Sequence, residues 1–280
     1  MMEVGVVGEI PILMKQAKEK RDGVQSTLQL VACSALRRNL IINLSEGNKS
    51  LRDLREKLGI SSTTAIHALR DLEKGNIVLQ DEGRNYGLTR IGEIVASNLI
   101  NFTNALDVLK KHESFWLEHD ISGIPEHLLG KIGCLSDSIV VKADATDIFK
   151  VYSNFVDILQ NAREVMGVSA MFVPDYPLIF QELLEKGVSV QLILTKKVLE
   201  KIDQKILKSL VENNSSKLEL YVIEEDLKVA FTVTDYCLSF GLFSPDGTYD
   251  WNKDLISYDK EAIEWGKKLF EWYLKQTERV

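Results

Sequence analysis

The stretch Leu51 to Leu88, LRDLREKLGISSTTAIHALRDLEKGNIVLQDEGRNYGL, constrains this chain more than any other. Leu51, Leu54 and Leu58 recur at helical spacing, and Gly59 closes that short helix because a left-handed cap costs glycine little. Ile60 leads to Ser61 and Ser62, either of which can cap a new helix by accepting an orphan amide hydrogen on its hydroxyl oxygen. Ala65, Leu69 and Leu72 give that second helix one buried stripe, and Gly75 ends it. Thr63, His67, Arg70 and Lys74 share the opposite, polar face, with Ser62 and Thr64 beside them in the first turn. Ile77 to Leu79 then reads as a strand, Asp81-Glu82-Gly83-Arg84-Asn85 as a hairpin tip and Tyr86 to Leu88 as the returning strand. A helix, a tight turn, a capped Ser/Thr-rich helix and an immediate hairpin with Arg at its tip make a winged helix-turn-helix. Its candidate DNA-contacting residues are Ser62, Thr63, Thr64, His67, Arg70, Lys74, Arg84, Asn85 and Tyr86.

Charge argues against a strong solitary DNA binder. From Ser50 to Arg90 seven basic residues face six acidic ones, a net of plus one, and the whole chain carries −7. Phosphate binding calls for a basic face, so specific binding would require a dimer, and contact with another protein is the alternative use of the module.

The expected division is 1–25 an N-terminal arm, 26–89 the winged domain, 90–137 a helical connector and dimerisation region, and 138–280 an α/β effector or regulatory domain. The charged run KQAKEKRD, Lys15 to Asp22, reads as a solvated arm. Ser26 to Leu44 reads as a single helix burying Leu30, Cys33, Leu36, Leu40 and Ile41, with Arg37 and Arg38 either within reach of a phosphate or serving surface solubility. Thr89 caps a long helix in which Ile91, Val95, Leu99, Phe102, Leu106 and Leu109 step by three or four, a stripe suited to pairing with its own copy. Gly123-Ile124-Pro125 breaks the helical run, and strands and helices then alternate: strands at 139–141, 167–173, 188–194 and 218–223, helices at 148–159, 178–185, 198–210 and 260–275. Val229 to Val233 and Cys237 to Phe243 form a hairpin turned by Thr234-Asp235-Tyr236. This order predicts a mixed α/β sandwich.

Chemistry-bearing clusters are sparse. Cys33, Cys134 and Cys237 are too far apart in sequence for a zinc site and read as free, partly buried thiols, while His112, His119 and His127 lack the tight pairing of metal ligands. Asp246-Gly247-Thr248-Tyr249-Asp250 lacks the spacing of a calcium loop and reads as a turn. No cofactor, metal or catalytic residue is assigned. Asp175, Tyr176 and Lys228 fall at predicted strand ends, where α/β sheets bind ligands, and are the candidate effector-pocket residues. No segment approaches the roughly 20 apolar residues that span a bilayer, and the N-terminal run contains Glu3 and Glu9, so a cytoplasmic protein without membrane contact is expected.

SFWLEHDISGIPEHLLGKIG, FVPDYP, GVSVQLIL, FTVTDYCLSFGLF, DGTYD and AIEWGKKLFEWY occur in an order that resembles the archaeal methanogenesis regulatory protein family, from about Leu28 onward. The resemblance implies an archaeal transcriptional regulator with a winged helix ahead of an effector-type domain. The second domain's strand order is also similar to half of a phospholipase D fold, as in effector domains of some sugar-responsive archaeal regulators. Enzymes of that fold use a histidine nucleophile, a lysine two residues on and a later aspartate. The matching stretch here is Asp226-Leu227-Lys228 with Asp235, so the histidine position holds an aspartate and cleavage by that route is not expected. The leading reading is a homodimeric DNA-binding regulator of unknown operator with a small-molecule-responsive C-terminal domain; the alternatives are a protein-interaction adaptor and a small-metabolite enzyme.

Overall fold

A computed structural model describes residues 23–213 and 216–280. The expected arm, including Lys15 to Asp22, lies almost wholly outside the described residues. The chain divides after Phe102 into two compact units.

In the first unit the expected single N-terminal helix is two. Helix α1 spans 23–32, the chain breaks at Cys33, and Ser34 caps α2 (Ala35–Ser45) by accepting from the Arg37 amide. The serine hydroxyl competes for the backbone here, which a periodicity of apolar residues does not register. Cys33, expected to be buried, is exposed at that break. Arg37 donates to the Leu30 carbonyl and pairs with Asp71 at 3.4 Å, and Arg38 donates to the Ala32 carbonyl, so both arginines close the break instead of presenting charge to a phosphate.

Strand β1 (Lys49–Ser50) leads into α3 (Leu51–Leu58), whose cap is reciprocal: Ser50 Oγ accepts from the Asp53 amide while the Asp53 carboxylate accepts from the Ser50 amide. Gly59, at φ 64°, ends it in the left-handed conformation. Ser61 caps α4 (Ser62–Lys74) through the Thr64 amide at 3.1 Å. β2 (Val78–Gln80) and β3 (Asn85–Leu88) form the wing, and β1 adds to its far edge in the order β1-β3-β2. Leu40, Ile41, Leu54, Leu69, Leu72 and Ile77 fill the core at no measurable exposure. Helix α5 (Arg90–Lys111) begins where Thr89 Oγ1 accepts from the Gly92 amide, and it runs through the division between the units.

The second unit carries the short helices α6 (Glu113–Glu118) and α7 (Glu126–Leu129) and a 3-10 turn (Ile132–Leu135). There follow β4 (Ile139–Lys142), α8 (Lys150–Gln160), β5 (Glu164–Ser169), α9 (Tyr176–Glu185) and β6 (Ser189–Thr195). α10 (Lys196–Leu199), α11 (Gln204–Asn213), β7 (Leu218–Ile223), β8 (Val229–Thr234), β9 (Leu238–Leu242), β10 (Lys253–Ser257), α12 (Lys260–Leu274) and β11 (Glu278–Arg279) complete it. One eight-stranded sheet has the order β11-β7-β6-β5-β8-β9-β10-β4; β5, β6 and β7 are parallel and every other pairing is antiparallel. The expected α/β architecture is present, with differences in individual elements, among them the short edge strand β11. The helix at 198–210 is two, because Asp203 accepts from the Lys205 and Ile206 amides and restarts it. The strand expected at 167–173 is β5, three residues earlier. Strand β10 does not stand out in the sequence because Lys253 and Asp254 are poor strand formers.

Successive residues on a strand point to opposite faces. Val229, Phe231 and Val233 on β8, Leu238, Phe240 and Leu242 on β9, and Leu255 on β10 face α12, packing with Trp265, Leu269, Phe270 and Tyr273. Trp265 Nε1 donates to the Leu128 carbonyl at 3.0 Å and the Tyr273 hydroxyl to the Gly123 carbonyl at 2.5 Å, so the preceding loop is tied to the same helix. The other face, under α8, α9 and α11, is packed by Val190, Leu192, Leu218 and Leu220 with Leu159, Leu183 and Leu184.

Gly92 makes the sharpest test of the winged unit. A Cβ there would overlap the Ile77 carbonyl oxygen, a backbone atom at the start of the wing that cannot rotate away. Gly92→Ala is expected to destabilise the chain by about 1–3 kcal/mol, read as a lower urea midpoint at unchanged slope.

Candidate functional site

The candidate functional side chains fall on two features, one in each unit. On α4, Thr63, Thr64, His67, Arg70 and Lys74 are not buried, and Ser62 is half-buried. The Thr64 hydroxyl lies 2.8 Å from that of Ser61, inside the helix cap, which leaves Thr63 as the outward hydroxyl of the first turn. At the wing tip Arg84 sits at φ 62°, a left-handed position, and is exposed; Asn85 is half-buried, its amide held by Asp81 Oδ1 at 2.8 Å. Tyr86 departs from the expected role: it is 8% exposed and its ring belongs to the winged core. Burial, followed by the nearby Glu73 charge, pushes its hydroxyl pKa up. A side chain in that position sets the wing against α4 and leaves little to offer a ligand.

The near-neutral charge count hides a separation. Asp71 is taken by Arg37, Glu56 by Arg52 at 2.8 Å, and Glu46 by Lys57 and Lys49 at 2.8 and 3.1 Å, while Asp53 and Asp81 accept backbone amides. Among the described residues no carboxylate pairs with Arg70, Lys74 or Arg84. Arg70 and Lys74 on α4 and Arg84 at the wing tip are therefore left without a carboxylate partner among the described residues, with Glu73 half-buried on α4 and Glu82 exposed beside Arg84.

The second feature is a cavity of about 1210 Å³ of empty space, partly open to solvent, between the sheet and helices α8, α9 and α11. It exists because the sheet residues beneath it are small. Gly167, Ala230, Thr232, Ser239 and Gly241 occupy the face opposite Val168, Phe231, Phe240 and Leu242. Tyr152, Phe155, Tyr176 and Phe180 form aromatic walls from the helices, and Tyr249 and Trp251 close it from the β9–β10 connection. Gly241 permits that closure, since a Cβ there would overlap the Tyr249 hydroxyl and ring. In the floor lies Asp254, 4% exposed, accepting from Ser239 Oγ at 2.5 Å. Burial pushes its carboxyl up to about 7, against the opposing hydrogen bonds from Ser239 and the Phe240 amide.

Of the three residues expected to line an effector pocket, only Tyr176 does. Asp175 stands outside on the surface, where the Tyr152 hydroxyl donates to it at 3.4 Å. Lys228 lies ahead of β8, 4.0 Å from Asp120. Lys228 and Asp235 flank the two ends of β8, about 20 Å apart at the rise of a strand. Asp235 accepts from the Arg163 amide, and Asp226 is paired with Lys197 at 2.6 Å. These residues do not converge on one site. Ser239, Tyr249 and Asp254 lie outside the expected set, although the large–small alternation of FTVTDYCLSFGLF, with Thr, Ser and Gly recurring between large residues, is a legible sign of a sheet face left unfilled.

The histidines and cysteines have structural surroundings. His112 Nε2 meets the Ser138 hydroxyl and carbonyl at 3.1 Å, and burial lowers its pKa. His119 places its ring nitrogens 2.5 Å from the Phe115 carbonyl and 3.1 Å from Asp250 Oδ2. Cys134 is half-buried and Cys237 buried. Among the described residues no three His, Cys, Asp or Glu side chains gather as a metal site. Asp246 to Asp250 is a turn, with Gly247 at φ 86° and Asp246 Oδ1 accepting from the Thr248 amide.

The raised pKa of Asp254 makes stability depend on pH. A carboxyl of this kind ordinarily titrates near 4, so between about pH 4 and 7 the folded chain retains a proton that the unfolded chain has released. The stability due to this group is complete below about pH 4 and is lost as the pH climbs to about 7. Tyr176, Tyr249 and Cys237, its neighbours in charge, are pushed up by burial and titrate above that window. Asp254→Asn stays neutral throughout. Its stability relative to the parent chain is expected to rise by on the order of 2–4 kcal/mol from about pH 4 to 7.5, measured by urea unfolding at each pH.

Comparison with known proteins covers both units. A family model described as the N-terminal domain of methanogenesis regulatory protein FilR1 matches residues 25–107, and one described as its middle domain matches residues 148–276. The methanogenesis regulatory protein FilR1 of Methanothrix harundinacea (strain 6Ac) is 29% identical over 237 residues, which are 83% of this chain and 53% of that protein. The chain thus spans about half the length of the curated relative it matches. Among solved structures, the archaeal chromatin protein TrmBL2 is similar at 16% identity over 88% of this chain and 94% of its own, with a TM-score of 0.42. The phospholipase D family member Nuc from Salmonella typhimurium is similar at 9% identity over 51% of this chain and 97% of its own, with a TM-score of 0.38. The two FilR1 models fall in order on separate parts of the chain, and the chain belongs to the methanogenesis regulatory protein FilR1 family.

Proposed function

We propose that this chain is a cytoplasmic, DNA-binding transcriptional regulator that acts as a homodimer and responds to a small molecule held in its α/β unit. The observation that carries the reading is the outer face of α4, where Thr63, His67, Arg70 and Lys74 stand together and, among the described residues, no carboxylate is committed to either cation. A helix of this kind enters the major groove, with Arg84 of the wing on an adjacent phosphate. Residues 26–89 would read DNA, 90–137 would connect and dimerise, and 138–280 would sense the effector.

Helix α5 supports the dimer. Ala96 and Leu99 are buried in the first unit and Val108 in the second, whereas Ile91, Ile94, Phe102, Leu106 and Leu109 remain between 41% and 66% exposed. Those five share one side of the helix along most of its length, a surface that a second copy of the same helix would cover. Two modest DNA surfaces acting together would offset the −7 net charge.

The test is a mobility-shift assay of the full chain against upstream genomic fragments at low and moderate salt. Specific retention that falls with salt is expected; retention of no fragment at any salt overturns the reading. Arg84→Ala should weaken binding to all sequences alike and reduce the salt slope by about 1, whereas Arg70→Ala should cost about 1–3 kcal/mol and relax preference at one base pair. Phe102→Glu combined with Leu109→Glu should convert a dimer to a monomer in sedimentation equilibrium and reduce DNA affinity further than Arg84→Ala does. An unchanged mass would remove α5 from the dimer interface.

A further inference from the structure

The chemistry of the cavity limits what can occupy it. Its walls are aliphatic and aromatic, and among the described residues no Lys, Arg or His lines it. Its floor holds one carboxylate, Asp254, whose side-chain partner is the neutral hydroxyl of Ser239. A phosphate or carboxylate entering this space would face a buried acid and find no counter-charge. A neutral apolar molecule would fill the walls and leave Asp254 desolvated and without a counter-charge, which is costly. A cation with an apolar body fits the walls and neutralises the floor, and the rings of Tyr152, Tyr176 and Trp251 add faces on which a cation is stabilised.

We infer that the cavity binds a small, largely apolar organic amine whose ammonium group pairs with Asp254 while its aromatic or aliphatic body fills the space between the sheet and α8, α9 and α11. The inference rests on the reading of this cavity as the effector site and adds the charge and class of the ligand. It places a specificity-determining residue on β10, between Lys253 and Leu255, on the strand that pairs with β9. Because burial holds the Asp254 carboxyl at about 7, a share of the chain is protonated there at neutral pH, and an arriving ammonium group would drive that proton off.

Isothermal titration of the full chain with 4-phenylbutylamine, 4-phenylbutan-1-ol and 4-phenylbutyrate separates the possibilities, since the three probes share a body and differ in charge. The amine should bind about 10-fold or more tightly than the alcohol, and the carboxylate should be weakest. Asp254→Asn should abolish the preference for the amine while leaving the alcohol within about 3-fold of its parent affinity. Ser239→Ala, which keeps the carboxylate, should retain that preference. If Asp254→Asn does not fold, the unaltered chain still tests the pairing: binding of the amine at neutral pH should release a proton, seen as a dependence of the binding enthalpy on buffer. Equal affinity for the three probes, tighter binding of the carboxylate, an amine preference that survives Asp254→Asn, or amine binding without proton release overturns the assignment of a cation while leaving the cavity a ligand site. Binding of none of the three overturns the effector-site reading, and this inference with it.

Discussion

The α/β unit depends on the alternation of large and small side chains along the β8–β9 hairpin. Phe231, Val233, Leu238, Phe240 and Leu242 all point to one side, and the buried face that results draws in α12 through Trp265, Phe270 and Tyr273. Those contacts are aromatic and aliphatic, so they stabilise by removing apolar area from water, at about 25 cal/mol per Å². The hydrogen bonds from Trp265 to Leu128 and from Tyr273 to Gly123 then fix the loop that leads into the unit. The other side of the same hairpin carries Thr232, Ser239 and Gly241, too small to meet the helices above them. One strand period thus makes a filled face and an unfilled one.

Placing a carboxylate beneath that unfilled face has an energetic consequence. Asp254 sits where a residue of its volume could have been apolar, and its burial works against folding whenever it is ionised. Ser239 and the Phe240 amide offset part of that cost. The exposed side of α5 likewise retains apolar side chains, from Ile91 to Leu109, in contact with solvent. Both features leave interactions unmet, one electrostatic and one hydrophobic, and the proposed function is a change of state when they are met.

In the winged unit, pairing outweighs totals. A sum of charges over Ser50 to Arg90 is close to zero, yet Asp71 and Glu56 are paired with neighbours on the scaffold while Arg70, Lys74 and Arg84 have no carboxylate partner among the described residues. A phosphate responds to the local field within a Debye length of about 10 Å, and the distant residues that enter a net charge are screened.

The sequence alone determined the local elements: helices α3 and α4, the Gly59 terminus, a cap at Ser61 or Ser62, the wing and most of the strand–helix alternation. Each of these rests on contacts within a few residues or on an apolar period, and both are written in the chain. Elements whose cause is not apolar escape that period, as at the Ser34 cap that splits the N-terminal helix and at β10, where two charged residues occupy a strand. Tyr176 is legible as a site residue because it follows a strand end, whereas Asp175 and Lys228 share that property and face elsewhere. Tertiary structure alone decided that Tyr86 turns inward, that Arg37 takes Asp71, and that Ser239 and Asp254, 15 residues apart, meet at 2.5 Å under a cavity. Strand pairing and helix packing place residues that no local pattern relates, and the direction a polar side chain takes depends on which neighbours that packing supplies.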